Sequence, residues 1–369
     1  MSTDIDCPYY HHGLFIGSTP NGQTQMSMCC WQSKTTVDNA VTFDHVYLES
    51  IRTQSTTQIP KECSQYCSMP GHVANERERA TVEWATLFKN IPPGAIKTLH
   101  LEQSLTCNLT CISCSSNYST AWNRDYHRFD STFPRIQLAK FPEEKWRDLD
   151  LQHLEKLHFT GGEPLLNRDN KKILQHLLDI GRLGNVMLSY NTNGTVFPDQ
   201  ETLDLWSKCR FVRLFFSLDG VDSVFEYTRY PAKWNEVESN IQQFRALTST
   251  CVLIEVNAIV GIHNIFGLPE FFNWWENNCQ SGSQGDPSSI FVRTINGWSH
   301  GGRVLDLASL SNEQANKAVS MLQSLNKYPG VPDLINYITT HNRPNKDWVT
   351  YLDTLDSIRG TNWKKDLPC

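Results

Sequence analysis

The sequence predicts an α/β fold built on a parallel sheet, and three observations lead to this class. Short apolar runs alternate with stretches of helical periodicity between residues 96 and 294. Polar and glycine-rich motifs follow the ends of those runs, and barrel-type α/β sheets hold their ligands at the carboxyl ends of their strands. The chain of 369 residues is long enough for one large domain and a smaller one.

Six strands are predicted from the apolar runs, and their alternation with helices favours parallel pairing through right-handed crossovers. The predicted strands are Ile96–Gln103, Lys156–Thr160, Asn185–Tyr190, Phe211–Ser217, Val252–Val260 and Ser289–Thr294. The predicted helices between them are Arg168–Ile180, Asp199–Lys208, Lys233–Leu247 and Leu268–Asn277. Two more helices are predicted after the last strand, at Leu310–Leu325 and Asp333–His341.

A group of three cysteines lies just past the first predicted strand, with the spacing Cys-x3-Cys-x2-Cys. These are Cys107, Cys111 and Cys114. A cuboidal 4Fe–4S cluster normally takes four thiolates, so a loop that offers three leaves one iron open. The spacing alone also fits half of a zinc site or three buried thiols.

A glycine-rich turn, Thr160-Gly161-Gly162-Glu163-Pro164, follows the second predicted strand. With the cysteine loop before it, the chain resembles the radical S-adenosylmethionine (SAM) superfamily. That resemblance implies a partial (β/α)6 barrel, a SAM-coordinating 4Fe–4S cluster on the three cysteines, and contacts from the Gly161-Gly162-Glu163 turn to the methionine moiety of SAM. One departure from the family is Ser113, where an aromatic residue usually packs over adenine; Ile112 and Tyr118 are the candidate substitutes.

Small polar residues follow the third and fourth predicted strands, in Asn191-Thr192-Asn193-Gly194 and Ser217-Leu218-Asp219-Gly220. In the resembled family, such positions suit the ribose hydroxyls and the adenine edge of SAM. The predicted cofactor-binding residues are therefore Asn191, Asn193, Ser217 and Asp219, with Asn257 of the fifth strand. Asn-Gly and Asp-Gly are also common turn dipeptides.

A second group of cysteines precedes the predicted barrel: Cys7, Cys29, Cys30, Cys63 and Cys67. Four thiolates would close a metal site and help to fold a segment with little core of its own. The expected ligands are Cys7, Cys30, Cys63 and Cys67, with Cys29 as the alternative to its neighbour Cys30. The occupant is expected to be zinc or an auxiliary 4Fe–4S cluster. Their order resembles a twitch or SPASM domain placed N-terminally, as in phage-type twitch radical SAM proteins.

These features give three expected domains. A Cys-rich, twitch-like domain covers residues 1–92, the radical SAM barrel covers 93–305, and a helical extension covers 306–369. Cys209 and Cys251 are interpreted as buried small hydrophobes. In the loop after the sixth strand, Trp298, His300 and Arg303 are candidates to face the substrate.

Composition restricts the class of protein. The formal net charge of −6 argues against a broad basic surface for duplex nucleic acid, unless Arg124, Arg128 and Arg135 form a local phosphate track. No apolar run approaches the ~20 residues of a membrane span. Twelve cysteines without an export signal favour metal ligands in a reducing compartment, so we expect a cytoplasmic location, or the host cytoplasm for a phage protein.

The resemblance implies reductive cleavage of SAM to a 5′-deoxyadenosyl radical, with electrons from a donor such as flavodoxin or ferredoxin. The first substrate hypothesis is radical isomerisation of an aminoacyl-modified thymidine during phage DNA hypermodification. The second is a peptide maturase that forms crosslinks. A hypothesis of another class is a non-catalytic iron–sulfur or zinc-binding protein.

Overall fold

A computed structural model describes residues 12–18, 24–29, 35–37, 95–129, 145–247, 252–278, 290–294 and 304–368. The strands are β1 (Gly13–Ser18), β2 (Thr24–Ser27), β3 (Thr35–Val37), β4 (Thr98–Glu102), β5 (Lys156–Phe159), β6 (Met187–Thr192), β7 (Phe211–Ser217), β8 (Val252–Val260) and β9 (Ile290–Thr294). The helices are α1 (Thr120–Phe129), α2 (Asn170–Asp179), α3 (Gln200–Trp206), α4 (Asp222–Thr228), α5 (Trp234–Ala246), α6 (Leu268–Asn278), α7 (Asn312–Gln323), α8 (Val331–His341), α9 (Asp347–Arg359) and α10 (Trp363–Asp366).

The chain divides into two compact units. The first comprises Met1–Ser104, Gln137–Ser189 and Gln200–Phe211, and the second comprises Leu105–Ile136, Tyr190–Asp199 and Val212–Cys369. In the first unit the strand order is β3-β2-β1-β4-β5-β6, and in the second it is β7-β8-β9.

The first unit has a parallel centre with an antiparallel edge. Strand β1 runs parallel to β4, and β4 runs parallel to β5, whereas β2 is antiparallel to both β1 and β3. The core is apolar and closely packed around Leu99, Leu157 and Phe159, each at most 1% exposed. Helix α2 buries Ile173, Leu174 and Leu177, the spacing that puts apolar residues on one face of a helix.

The second unit shows why the polar strand-end residues share a face. Strands β7 and β8 are parallel, and buried residues alternate with half-buried ones along both. Phe216 and Val256 point to the buried face because side chains alternate along a strand. Their neighbours Ser217 and Asn257 are register partners on the half-buried face.

The predicted α/β class and all six predicted strands are confirmed, with ends that shift by zero to two residues. The six predicted helices are confirmed too. Sequence patterns missed β1, β2, β3, α1, α4, α9 and α10, most of them too short to show a clear period. Strand β6 also continues through Thr192, so Asn191 lies within a strand.

Within the described ranges, no helix is long and apolar enough to cross a membrane.

Candidate functional site

The three-cysteine loop of the second unit is held by hydrogen bonds to its backbone carbonyls. Ser119 Oγ donates to the Leu109 carbonyl at 2.7 Å. Trp122 Nε1 donates to the Cys111 carbonyl at 2.7 Å, and the Cys114 amide donates to that same carbonyl at 3.0 Å. The indole and hydroxyl come from the start of α1, so this helix sets the shape of the loop.

The loop amides are bonded to the end of α4. The Ile112 amide donates to the Thr228 carbonyl at 2.8 Å, and the Thr110 amide donates to the Tyr230 carbonyl at 2.7 Å. The last carbonyls of a helix have no partner within the helix. The loop supplies one for Thr228, which fixes the loop and the helix end together.

A buried ion pair lies beside the second cysteine. Arg229 Nε is 2.7 Å from Asp219 Oδ2, with side-chain exposures of 8% and 0%. Arg229 Nη1 donates to Cys111 Sγ at 3.6 Å. The guanidinium therefore joins a carboxylate and a cluster-loop sulfur.

The remaining contacts of Asp219 are structural. Its Oδ1 accepts from the Ile259 amide at 2.9 Å, and its Oδ2 accepts from Ser113 Oγ at 3.4 Å. Asn264 Nδ2 donates to the Asp219 carbonyl at 2.8 Å. The predicted contact of Asp219 with the cofactor stays a prediction.

Burial and the nearby guanidinium groups shift the pKa values of the loop thiols in opposite directions. Burial raises the pKa of the Cys111 thiol, and the Arg229 guanidinium acts in the opposite direction. Burial also raises the pKa of Cys114, and the neighbouring Cys111 and Cys107 add to that rise. Burial alone would lower the pKa of Arg229, but Asp219 and Cys111 raise it above its ordinary value. Arg229 is therefore the charge that favours a thiolate at Cys111.

Asn193 contacts the same loop. Its Nδ2 donates to Asn108 Oδ1 at 3.0 Å and lies 3.9 Å from Cys107 Sγ. Its Oδ1 accepts from the Thr195 amide at 2.9 Å. The structure thus brings this predicted residue to the first cysteine, and its role toward SAM stays a prediction.

The glycine turn lies in the first unit and is shaped by close packing. Gly161 has φ of +118°, and a Cβ there would lie 2.3 Å from the Ser104 carbonyl oxygen. The Gly162 amide donates to that carbonyl at 2.9 Å. Glu163 is 2% exposed and accepts from the Leu165 amide at 3.0 Å. Its carboxylate thereby caps the short helix at Pro164–Leu166.

A comparison with known families finds a similarity over part of the chain. Residues 102–268 match the family described as the Radical SAM superfamily.

The matched residues are fewer than half of the 369 in the chain, so the match shows a similarity to that family over residues 102–268.

Several known proteins are similar to this chain. GTP 3′,8-cyclase from Syntrophomonas wolfei is 26% identical over 164 residues, which cover 44% of this chain and 46% of that protein. GTP 3′,8-cyclase from Bradyrhizobium diazoefficiens is 27% identical over 187 residues, covering 47% and 48%. The chain spans about half the length of these curated relatives. SuiB from Streptococcus suis, solved with bound S-adenosylmethionine, overlaps 88% of this chain and 69% of its own at 13% identity and a TM-score of 0.38.

The donor set of the three-cysteine loop fits a 4Fe–4S cluster. In the parts of the chain that the structure covers, no three Cys, His, Asp or Glu side chains are placed to share a single metal ion. A 4Fe–4S cluster does not require its thiolates to converge on one metal ion, because each thiolate binds a different iron. The three thiols lie on one loop, between strand β4 and helix α1.

Sequence reasoning missed two candidate residues near the cysteine loop. His263 follows β8, is 0% exposed, and has no hydrogen-bond partner at either ring nitrogen among the residues described. A buried polar group normally has a partner, so this ring is exceptional among the described residues. Arg359 from α9 donates to the Thr110 carbonyl. Neither residue belongs to a recognisable motif, and only the folded chain brings them here.

Of the remaining residues predicted from the sequence, some lie in the described ranges and others lie outside them. Cys209 is 7% exposed, and its thiol donates to the Leu205 carbonyl, as expected of a buried thiol. Arg124 and Arg128 are exposed on α1. Of the candidates for replacing the aromatic, Ile112 is 0% exposed and Tyr118 is half-buried. The following expected residues lie outside the described ranges: Cys7, Cys30, Cys63, Cys67, Arg135, Cys251, Trp298, His300 and Arg303.

Proposed function

We propose that the protein is a radical SAM enzyme whose cluster is held by Cys107, Cys111 and Cys114. The supporting observation is the three-thiol loop, in which the backbone is bonded on both sides and Arg229 donates to Cys111 Sγ. Cysteine binds metal as a thiolate, and an adjacent guanidinium stabilises that form. The family match of residues 102–268 supports the same chemistry.

The protein's part in this chemistry is to bind, orient and exclude water. When bound, the cluster and SAM supply a one-electron cleavage of a carbon–sulfur bond that yields methionine and a 5′-deoxyadenosyl radical. The electron comes from a donor such as flavodoxin or ferredoxin. The Gly161-Gly162-Glu163 turn orients the methionine moiety of SAM.

The strand-end residues orient the nucleoside part of SAM. Ser217 and Asn257 are adjacent on the half-buried face of β7 and β8, where their polar groups suit ribose hydroxyls. Asn191 and Asn193 contribute from the end of β6. Asp219 acts by holding Arg229, since its carboxylate contacts that guanidinium at 2.7 Å.

Cleavage of SAM is the direct test. We expect anaerobically reconstituted, reduced protein to convert SAM to 5′-deoxyadenosine, measured by liquid chromatography. Cys107→Ala, Cys111→Ala and Cys114→Ala should each abolish the product and lower the iron content. Cys209→Ala changes a buried thiol of the first unit and should retain both. Wild-type protein that binds zinc and forms no 5′-deoxyadenosine would instead support a non-catalytic binding protein.

For the substrate, we propose an aminoacyl-modified thymidine in phage DNA, which the enzyme isomerises. A hydrogen atom leaves a carbon of the aminoacyl group and forms 5′-deoxyadenosine; its return to the rearranged skeleton leaves the product with unchanged composition. An auxiliary cluster on Cys7, Cys30, Cys63 and Cys67 could take or return an electron. Two relatives are named for a cyclase that acts on GTP, and a nucleotide substrate is of the same chemical class.

Assays with two different substrates distinguish the isomerase proposal from the alternative, a crosslinking peptide maturase. An oligonucleotide with an aminoacyl-thymidine should give a product of equal mass and different retention. A deuterium label on the aminoacyl carbon should appear in 5′-deoxyadenosine. An unchanged oligonucleotide, together with a precursor peptide that loses two hydrogens, would favour a crosslinking peptide maturase.

A further inference from the structure

Arg359 is the last residue of α9 and is buried, which is unusual for an arginine at a helix end. Its side chain is 2% exposed. Arginine side chains normally extend along apolar surface and keep the guanidinium in water. Removing such a charge from water is costly unless other groups compensate it, so its burial calls for specific partners.

Those partners belong to the cluster loop and its supports. Arg359 Nη2 donates to the Thr110 carbonyl at 2.7 Å, and Thr110 immediately precedes Cys111. The guanidinium carbon lies 4.9 Å from the centre of the Trp122 ring and 5.1 Å from that of Tyr230. Both distances are within the range of a cation–π interaction.

The two aromatic residues are the same ones that hold the loop backbone. Trp122 donates its indole N–H to the Cys111 carbonyl, and the Tyr230 carbonyl accepts from the Thr110 amide. The Arg359 guanidinium thus contacts the loop directly, and it also contacts the two aromatic residues that hold the loop backbone. An arginine has the planar, multi-donor shape that such an arrangement needs, and lysine does not.

The charge of Arg359 is only partly compensated. Its nearest carboxylate oxygen is Asp125 Oδ2, 3.7 Å from Nε, and its Nη1 has no hydrogen-bond partner among the described atoms. Arginine stays protonated in proteins. The guanidinium also lies close to Cys111, because it donates to the carbonyl of the preceding residue, Thr110. A cation here favours the more negative, reduced form of a nearby cluster.

We propose that Arg359 is a positioning residue of the cysteine loop: from the C-terminal helix it holds the Thr110–Cys111 segment and supplies a buried positive charge beside the residues that would hold the cluster. This inference rests on the proposed function for its second half, the effect on the cluster. The first half, the hold on the loop, concerns the polypeptide alone. The two halves can be measured separately in the full-length protein.

Hydrogen exchange tests the hold on the loop in metal-free protein. Arg359→Met should speed amide exchange of residues 107–114 by about tenfold or more, as expected when a charge-assisted hydrogen bond is lost. Arg359→Lys should show a smaller increase. Arg343→Met changes an exposed arginine of the same C-terminal region and should leave exchange unchanged. Wild-type exchange rates in folded Arg359→Met protein would overturn the proposal.

The midpoint potential of the reconstituted cluster tests the effect of the Arg359 charge. In reconstituted protein, Arg359→Met should shift the midpoint potential to more negative values and speed iron loss to a chelator. Arg359→Lys keeps the charge, so its potential should stay near the wild-type value while iron loss is still faster. If Arg359→Met fails to fold, wild-type iron loss in Arg359→Lys overturns the proposal. If the wild-type protein takes up no iron, the proposed function is contradicted. The hydrogen-exchange experiment still tests whether Arg359 holds the Thr110–Cys111 segment, because it uses metal-free protein.

Discussion

At the scale of single residues, Arg229 and Asp219 form a contact that the motif around Asp219 does not predict. The Ser217-Leu218-Asp219-Gly220 run suggested a cofactor contact from Asp219. In the folded chain its carboxylate pairs with Arg229, and Arg229 contacts Cys111 Sγ. The pairing depends on a residue ten positions later, at the end of α4, and no local pattern marks it.

The buried pair predicts a large stability effect. Asp219→Asn leaves Arg229 without its carboxylate, and breaking a buried ion pair in this way should lower the free energy of unfolding by about 3–5 kcal/mol. The measurement is urea denaturation. Asp169→Asn is the control, because Asp169 pairs with Lys172 at side-chain exposures of 39% and 42% and should change stability by about 0–1 kcal/mol. Equal effects of the two variants would contradict a buried, charged pair.

His263 predicts a dependence of stability on pH. Burial lowers the pKa of His263 to about 4, while an unfolded chain binds this proton near pH 6.5. As the pH falls from 6.5 toward 4, the unfolded state gains a proton that the folded state does not. From pH 7 to pH 5 this group should therefore lower the free energy of unfolding by about 2 kcal/mol.

Two histidine variants test that dependence by urea denaturation at both pH values. His263→Gln should remove this share of the acid destabilisation. His341→Gln, at an exposed histidine, should retain it. A wild-type pH dependence in His263→Gln would show that His263 does not titrate abnormally.

At the scale of elements, the turn after β5 depends on glycine for a reason that the sequence only hints at. Gly161 was predicted because glycines let the backbone approach a ligand. The structure adds a second constraint within the protein, since Gly161 has a positive φ and packs against the Ser104 carbonyl. This constraint comes from the protein itself.

Two alanine substitutions separate packing from backbone conformation. Both Gly161 and Gly181 have positive φ, but a Cβ at Gly181 meets nothing within 4 Å. Gly181→Ala should cost about 1 kcal/mol. Gly161→Ala should cost at least ~2 kcal/mol because the turn must also move, and it should weaken SAM binding in calorimetry. Similar losses for the two variants in denaturation would contradict the close approach to Ser104.

At the scale of the whole molecule, the N-terminal cysteines raise the question of whether the protein binds a second metal centre. Cys107→Ala/Cys111→Ala/Cys114→Ala protein should retain about four irons if Cys7, Cys30, Cys63 and Cys67 hold a cluster. Metal content is measured after anaerobic reconstitution. A further variant with Cys63→Ala and Cys67→Ala should lose that iron. Zinc in place of iron would indicate a structural site.

The sequence by itself determined the α/β class, the six parallel strands and the three thiols, because each depends on local periodicity or spacing. Tertiary structure decided which charges surround the thiols. Arg229 and Arg359 reach the loop from α4 and from a C-terminal helix that sequence patterns missed. Such contacts join residues up to 249 positions apart, and their energies depend on burial, which spacing does not encode.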